Sequence, residues 1–173
     1  MNELKKIAKR LVSEGKGILA ADESTPTCTK RFESIGVKST ELTRNEYRSW
    51  LFSTIDIEKY ISGVILYHET FHQSIINTNI SVPKFLKKKN ILAGIKVDTG
   101  AKDFAGFSPE KITEGLDNLR PRLNDYKIHG AKFAKWRAVI KIGKNFPTKT
   151  CIAANSHAVS YTHLTLPTIG CVW

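Results

Sequence analysis

The stretch GKGILAADEST, residues 15–25, decides the fold of this chain. Its centre, residues 17–21, is a short and nearly continuous apolar run, which is typical of a β-strand buried on both faces. Glycines at its start separate it from a preceding helical segment, and the charged residue Asp22 follows it. We therefore interpret residues 17–22 as the first strand of a parallel sheet, with a charge at its carboxyl end.

The same pattern occurs three more times along the chain. Further apolar runs predict buried strands at residues 61–67 (ISGVILY), 91–97 (ILAGIKV) and 131–136 (AKFAKW). Apolar spacing predicts a helix at residues 2–12, a capping box at residues 43–46 predicts one that reaches about residue 55, and Ser108-Pro109 predicts one that reaches about residue 126. Strands that alternate with helices indicate an α/β fold with a parallel sheet.

Charged side chains mark the carboxyl ends of the predicted strands. Each of these charges shares a strand face with small or apolar residues, because side chains alternate between the two faces of a strand. The charged residues are Asp22, Lys96, Lys135 and Arg137. In a parallel α/β fold, ligands bind at this end of the sheet, so the pattern predicts one site that suits an anion, above all a phosphate. A structural cluster of salt bridges is the alternative; it accounts for one Asp–Lys pair, but less well for three cations.

Composition excludes some classes of protein and favours others. The chain has 173 residues, a formal net charge of +11 and no apolar run long enough for a membrane span. Nucleic-acid binding is one interpretation of the charge, but the densest run, residues 87–89, has no interleaved aromatic residues. We expect lysines on solvated faces and around a phosphorylated substrate, with neither nucleic acid nor membrane as partner. Three cysteines at unrelated spacings suggest reduced thiols in the cytoplasm.

Four motifs together resemble one known family. They are GKGILAADEST at residues 15–25, GVILYHET at 63–70, GIKVD at 94–98 and FAKWR at 133–137. In this order they are similar to the first four strands of the class I, Schiff-base-forming fructose-bisphosphate aldolases. The resemblance implies a (β/α)8 TIM barrel of which about the first four βα units are present. It also implies a lyase that cleaves fructose 1,6-bisphosphate reversibly into dihydroxyacetone phosphate and glyceraldehyde 3-phosphate, without a metal or other cofactor.

The resemblance also implies roles for individual residues. Asp22 would be the catalytic aspartate that assists proton transfer, and Lys135 the catalytic lysine that stabilises charge at the cleaving bond. Lys96 and Arg137 would support substrate binding and the local positive field, which lowers the pKa of a Schiff-base lysine. The remaining substrate-binding positions would be Ser24, Thr27, Lys30, Arg31 and Arg44.

The resemblance covers residues 1–158, and we expect residues 159–173 to be an unrelated tail, either artefactual or disordered. The Schiff-base lysine and the acid–base glutamate of the family belong to later strands, so we expect the 173-residue chain to be inactive and poorly soluble. The full-length parent would be a cytoplasmic homotetramer. Two alternatives are a non-catalytic fragment that binds phosphosugars and another lysine-dependent phosphosugar barrel.

The sequence HETFH, residues 68–72, matches the HExxH motif of zinc proteases. That motif requires both histidines on one helical face. Because the motif directly follows the predicted strand at residues 61–67, we expect His68 at a strand end and no metal site. The family resemblance already accounts for residues 68–70.

Overall fold

The chain folds as an α/β structure, which a computed structural model describes over residues 3–162. The helices are α1 (Glu3–Leu11), α2 (Thr25–Glu33), α3 (Glu41–Ser53), α4 (Ile57–Tyr60), α5 (His68–His72), α6 (Val82–Lys88), α7 (Leu119–Ile128) and α8 (Lys149–Thr162). The strands are β1 (Gly17–Ala21), β2 (Ile61–Leu66), β3 (Leu92–Lys96), β4 (Gly100–Asp103), β5 (Lys111–Glu114) and β6 (Phe133–Lys135). Within this part of the chain, none of the helices has the length and apolar character that a bilayer span requires.

The four predicted strands form one parallel sheet in the order β1-β2-β3-β6. The register pairs Ala21 with Leu66, Leu66 with Ile95, and Lys96 with Lys135. The carboxyl ends of the strands therefore lie along one edge of the sheet. The prediction of a parallel sheet is confirmed, and the observed strands are one to three residues shorter than the predicted ones.

Both faces of the sheet are covered, as its apolar strands require. One face packs against α1, where Ile7 and Leu11 contact Leu92 and Phe133. The Phe133 ring lies directly over Gly94, and a Cβ atom at position 94 would overlap it. The opposite face packs against α3, α4, α5, α6 and α7 through a larger cluster that contains Phe52, Phe71 and Leu86. The sheet is thus fixed from both sides, and its carboxyl edge is held in place for a site.

The helix predicted to begin at Ser108 is wrong. Residues 100–103 and 111–114 instead form an antiparallel hairpin, β4–β5, and the helix begins only at Leu119. The physical reason is that residues 110–113 bind side chains and backbone groups that are far away in the sequence. The buried Glu110 carboxylate accepts hydrogen bonds from the backbone N–H and hydroxyl of Thr148, at the start of α8. Asn155 accepts a hydrogen bond from the Thr113 backbone. These contacts draw residues 110–113 toward α8 and away from a helix of their own.

The predicted cap of α3 is displaced by three residues. Thr40, not Thr43, is the N-cap residue, and the two threonines form a reciprocal capping box. The hydroxyl of Thr43 serves at the third position of the helix in the way that Glu or Gln usually does.

The predicted boundary between residues 158 and 159 falls inside α8, which continues to Thr162. Most of the predicted tail, residues 163–173, lies outside the described residues. The unrelated origin of residues 159–173 therefore stays a prediction.

Candidate functional site

The candidate site is built on the carboxyl ends of β1, β3 and β6. Asp22 directly follows β1, while Lys96 and Lys135 are the last residues of β3 and β6. Because Lys96 and Lys135 are direct partners in the strand register, their side chains leave the sheet from adjacent positions. The strand-end charges are thus brought to one edge, as the sequence pattern predicts.

Asp22 and Lys135 form an ion pair although they are 113 positions apart in sequence. The Lys135 ammonium donates to Oδ2 of Asp22 over 2.7 Å. The lysine side chain is 29% exposed and the aspartate 11%, so the pair is partly shielded but open to a ligand. A carboxylate and an ammonium held this way can exchange a proton with a bound molecule or stabilise a developing charge.

Lys96 has its own carboxylate partner. Its ammonium donates to Oδ1 of Asp98 at 2.5 Å and to the Asp98 backbone carbonyl at 2.6 Å. The side chain of Arg137 is exposed and forms no ion pair within residues 3–162. Both lysines are therefore paired, which is what a structural cluster of salt bridges requires, while the arginine remains available to an anion.

A cavity of about 330 Å³ opens beside Lys96 and gives this edge the shape of a binding site. Its lining combines cations with hydroxyl groups and aromatic rings. The lining residues are Ser24, Tyr67, His68, Lys96, Asp98, Thr99, Arg122 and Tyr126. The space and the positive charge suit an anionic ligand of moderate size, and this cavity is a feature that salt bridges alone do not explain.

Helix α2 carries four of the predicted substrate-binding residues. Ser24 is the N-cap residue of α2, and its hydroxyl lies 3.1 Å from that of Thr27. Lys30 and Arg31 lie in the last turn of the helix, and both are exposed. The two hydroxyl groups at the helix amino terminus favour phosphate binding, while the two cations lie at the other end of this short helix.

Arg44, the remaining predicted binding residue, contacts a different carboxylate. Its guanidinium forms a bidentate pair with Glu69 at 2.8 and 2.6 Å and also donates to Ser39. The hydrogen bonds that Arg44 donates to the Glu69 carboxylate raise the pKa of Arg44 above its ordinary value. The structure therefore connects Arg44 to α5 and not to the Asp22–Lys135 pair.

Sequence reasoning did not find the carboxylate that holds Arg31. Glu23 accepts hydrogen bonds from Arg31 at 2.5 Å and from the buried Arg48 at 3.0 Å. Arg48 also donates to the Thr70 hydroxyl, so it joins the residues that follow β1 and β2. The sequence gives one signal only: Glu23 directly follows Asp22. The pairing with α2 and α3 depends on the folded chain.

Cys28 lies next to this network but is not prepared for nucleophilic chemistry. Its thiol is buried and accepts a hydrogen bond from Arg48. Burial raises the pKa of the Cys28 thiol, so the thiolate is disfavoured near neutral pH.

His68 lies two residues beyond β2, near the strand end as expected, but residues 68–72 form the short helix α5, which the sequence pattern did not predict. The rings of His68 and His72 lie 4.8 Å apart. Their other partners are Tyr126, 2.9 Å from His68, and Asp125, 3.5 Å from His72. No cluster of histidine, cysteine or acidic residues in residues 3–162 has the arrangement that a metal ion needs.

Comparisons with known proteins point to one family. The model of class I fructose-bisphosphate aldolases matches residues 3–165. A probable class 1 fructose-bisphosphate aldolase of Xanthomonas campestris pv. campestris is 48% identical over 162 residues, which is 92% of this chain and 48% of the relative. The fructose-bisphosphate aldolase of Drosophila melanogaster is 48% identical over 160 residues, which is 92% of this chain and 44% of that protein.

The similarity extends to three-dimensional structure. A crystal structure of the fructose-bisphosphate aldolase of Plasmodium falciparum, in complex with TRAP and a small-molecule inhibitor, matches with a TM-score of 0.83 and 44% identity. The match covers 88% of this chain and 44% of that one. The chain thus spans about half the length of the relatives it matches.

Proposed function

Because the chain belongs to the class I fructose-bisphosphate aldolase family, we propose that the protein cleaves fructose 1,6-bisphosphate reversibly into dihydroxyacetone phosphate and glyceraldehyde 3-phosphate. The four parallel strands are then the first four of a (β/α)8 barrel. The reaction proceeds through a Schiff base between the substrate carbonyl and a lysine, which replaces a metal ion as the electron sink.

The observation that carries this proposal is the contact between Asp22 and Lys135 at the carboxyl edge of the sheet. The Asp22 carboxylate moves a proton to and from the reacting sugar. The Lys135 ammonium stabilises the negative charge that develops as the carbon–carbon bond breaks. The distance of 2.7 Å means that each group fixes the position of the other before the substrate arrives.

The surrounding cations hold the substrate and shape its electrostatic field. Lys96 and Arg137 add positive charge at the ends of β3 and β6, which favours a neutral Schiff-base lysine nearby. Ser24 and Thr27 bind a phosphate group at the start of α2, and Lys30 and Arg31 add positive charge from its last turn. Arg44 contributes after an exchange of partner, since its guanidinium is occupied by Glu69 in this structure.

The assembled enzyme works as a homotetramer in the cytoplasm, with a phosphorylated sugar as its ligand and without nucleic acid. Membership of the family supports the phosphorylated sugar as ligand. The cations behind the net charge of +11 then either bind anionic substrates or lie on solvated faces.

A second candidate function is phosphosugar binding without catalysis. The cavity beside Lys96 and the hydroxyl groups and cations of α2 favour it, because they lie within residues 3–162 and need no further catalytic group. Cleavage and binding measurements on the same preparation separate the two functions.

The direct test is a cleavage assay on the protein expressed from its complete gene. We expect cleavage of fructose 1,6-bisphosphate, detected by reduction of the triose products with NADH, to persist at full rate in excess EDTA. Calorimetry on the same preparation measures binding. Binding without cleavage would favour the second function, and cleavage that EDTA abolishes would contradict the Schiff-base mechanism.

A further inference from the structure

The carboxylate of Asp98 is among the least exposed charged groups at the candidate site. Its side chain is 3% exposed, and both of its oxygens are used. Oδ1 accepts a hydrogen bond from the Lys96 ammonium, and Oδ2 accepts one from the backbone N–H of Arg137 at 3.2 Å. One buried carboxylate therefore connects two of the residues that the proposed function assigns to substrate binding.

The contact with Lys96 fixes the direction of its ammonium. An ammonium group has three N–H donors, and Asp98 takes two of them through its carboxylate and its backbone carbonyl. The third donor is left for a ligand in the adjoining cavity, which Lys96 and Asp98 both line. Because a free lysine side chain loses rotamer entropy when a ligand immobilises it, fixing it in advance spares part of that cost on binding.

The contact with Arg137 extends the connection between two strands. The ladder of β3 and β6 ends at the pair Lys96–Lys135, two residues before Arg137. The hydrogen bond from the Arg137 N–H to Asp98 continues the connection beyond that pair. The Arg137 backbone is also held from its carbonyl side, which accepts a hydrogen bond from the Thr113 hydroxyl. The Arg137 side chain therefore starts from a backbone position that is fixed on both sides.

Asp98 is itself held rigidly. The N–H of the next residue, Thr99, donates to the carbonyl of Glu114 at 2.9 Å. Gly115, with a φ of +130°, packs its backbone so close that a Cβ there would lie 3.0 Å from the Cα of Asp98. Arg122 donates to the carbonyl of Val97 at 3.1 Å. The segment that carries the carboxylate is therefore a firm support for its two partners.

We propose that Asp98 is a positioning residue that orients Lys96 and Arg137 toward a phosphate group of the substrate. This inference rests on the proposed function and names a residue that acts through others. In Asp98→Asn, the amide keeps at most one of the two contacts with the correct polarity, because its nitrogen cannot accept a hydrogen bond. The variant removes the charge with little change in volume.

The test uses the protein expressed from its complete gene. We expect Asp98→Asn to raise the KM for fructose 1,6-bisphosphate about tenfold and to change kcat less than about threefold, since the chemical groups Asp22 and Lys135 are untouched. The matched control is Asp103→Asn, which removes an aspartate that pairs with Lys111 at 2.5 Å but is 89% exposed. That control should leave both constants unchanged. An unchanged KM in a folded Asp98→Asn variant would overturn the proposal.

A double-mutant cycle distinguishes positioning from a general loss of structure. We expect Asp98→Asn to raise KM clearly less in a Lys96→Met background than in the wild type, because part of its effect passes through Lys96. Fully additive effects would overturn the proposal. An unchanged KM in Lys96→Met would also overturn the proposal, because Lys96 would then not hold the substrate. If instead the wild type neither binds nor cleaves fructose 1,6-bisphosphate, the proposed function itself fails.

A measurement on the unmodified protein covers the case in which Asp98→Asn does not fold. Nitrogen-15 NMR of the lysine side chains should show a slowly exchanging Lys96 ammonium signal that is coupled across the hydrogen bond to the Asp98 carboxyl carbon. A rapidly exchanging Lys96 signal without this coupling would contradict the orienting role.

Discussion

Replacement of Lys135 by methionine should lower kcat/KM for fructose 1,6-bisphosphate about a thousandfold, a loss of about 4 kcal/mol in transition-state stabilisation. Methionine keeps the length of the side chain and its contact with the sheet, but it has no ammonium group. Two effects then add: the developing charge loses its partner, and Asp22 loses the ammonium that holds it at 2.7 Å. Removal of one charge-stabilising group typically costs about a hundred- to a thousandfold in rate, and the loss of support for Asp22 brings the expected effect to the upper end of that range.

The matched control for this experiment is Lys132→Met. Lys132 lies three residues before Lys135, just ahead of β6, and is exposed. We expect the Lys132→Met variant to retain wild-type kcat/KM in steady-state assays at matched protein concentration. A loss of less than about tenfold in Lys135→Met, with an unchanged far-ultraviolet circular dichroism spectrum, would remove Lys135 from the proposed catalytic residues.

Replacement of Arg48 by methionine should produce the largest loss of stability, about 3 kcal/mol. Arg48 is 2% exposed and donates to Glu23, to Thr70 and to the sulfur of Cys28. Removal of one partner from a buried ion pair typically costs about 3–5 kcal/mol, because the other charge is left without compensation. We take the lower end of that range since Glu23 is 13% exposed and keeps Arg31.

Arg31→Met is the control, because it removes the other arginine from the same carboxylate. Arg31 is 59% exposed, and exposed ion pairs contribute little to stability because solvent screens them, so we expect a much smaller loss than in Arg48→Met. Urea unfolding followed by tryptophan fluorescence measures both variants. Equal losses in the two variants would show that the burial of Arg48 does not determine the strength of its contact.

The strands of the main sheet could be predicted because their signal is local. Each strand is a run of consecutive apolar residues, so it can be recognised from its own sequence without knowledge of distant partners. The hairpin β4–β5 has no such signal. Ser108-Pro109 is a valid helix start in isolation, but the contacts from Glu110 to Thr148 and from Thr113 to Asn155 decide the structure of this region. Those partners are 38 and 42 positions away, and no local pattern contains them.

The candidate site could be predicted in part for the same reason. Side-chain alternation predicts which charges share a face of each strand, and the parallel order of the strands places Asp22, Lys96 and Lys135 at one edge of the sheet. The partners that orient these residues could not be found, because each pairing is set by packing. Arg44 is held by Glu69, and Arg31 by Glu23. At the HExxH motif, the sequence pattern predicted only the end of a strand, and it did not predict the short helix α5 that follows.

The central claim is that residues 3–162 supply the charge-stabilising and phosphate-binding groups of an aldolase site, and not its Schiff-base lysine. The most direct test is to incubate the protein expressed from its complete gene with dihydroxyacetone phosphate and sodium borohydride, and to locate the reduced adduct by peptide mass spectrometry. The account predicts one adduct per polypeptide, at a lysine outside residues 3–162. A stoichiometric adduct at Lys96, at Lys135 or at any other lysine within residues 3–162 would contradict it.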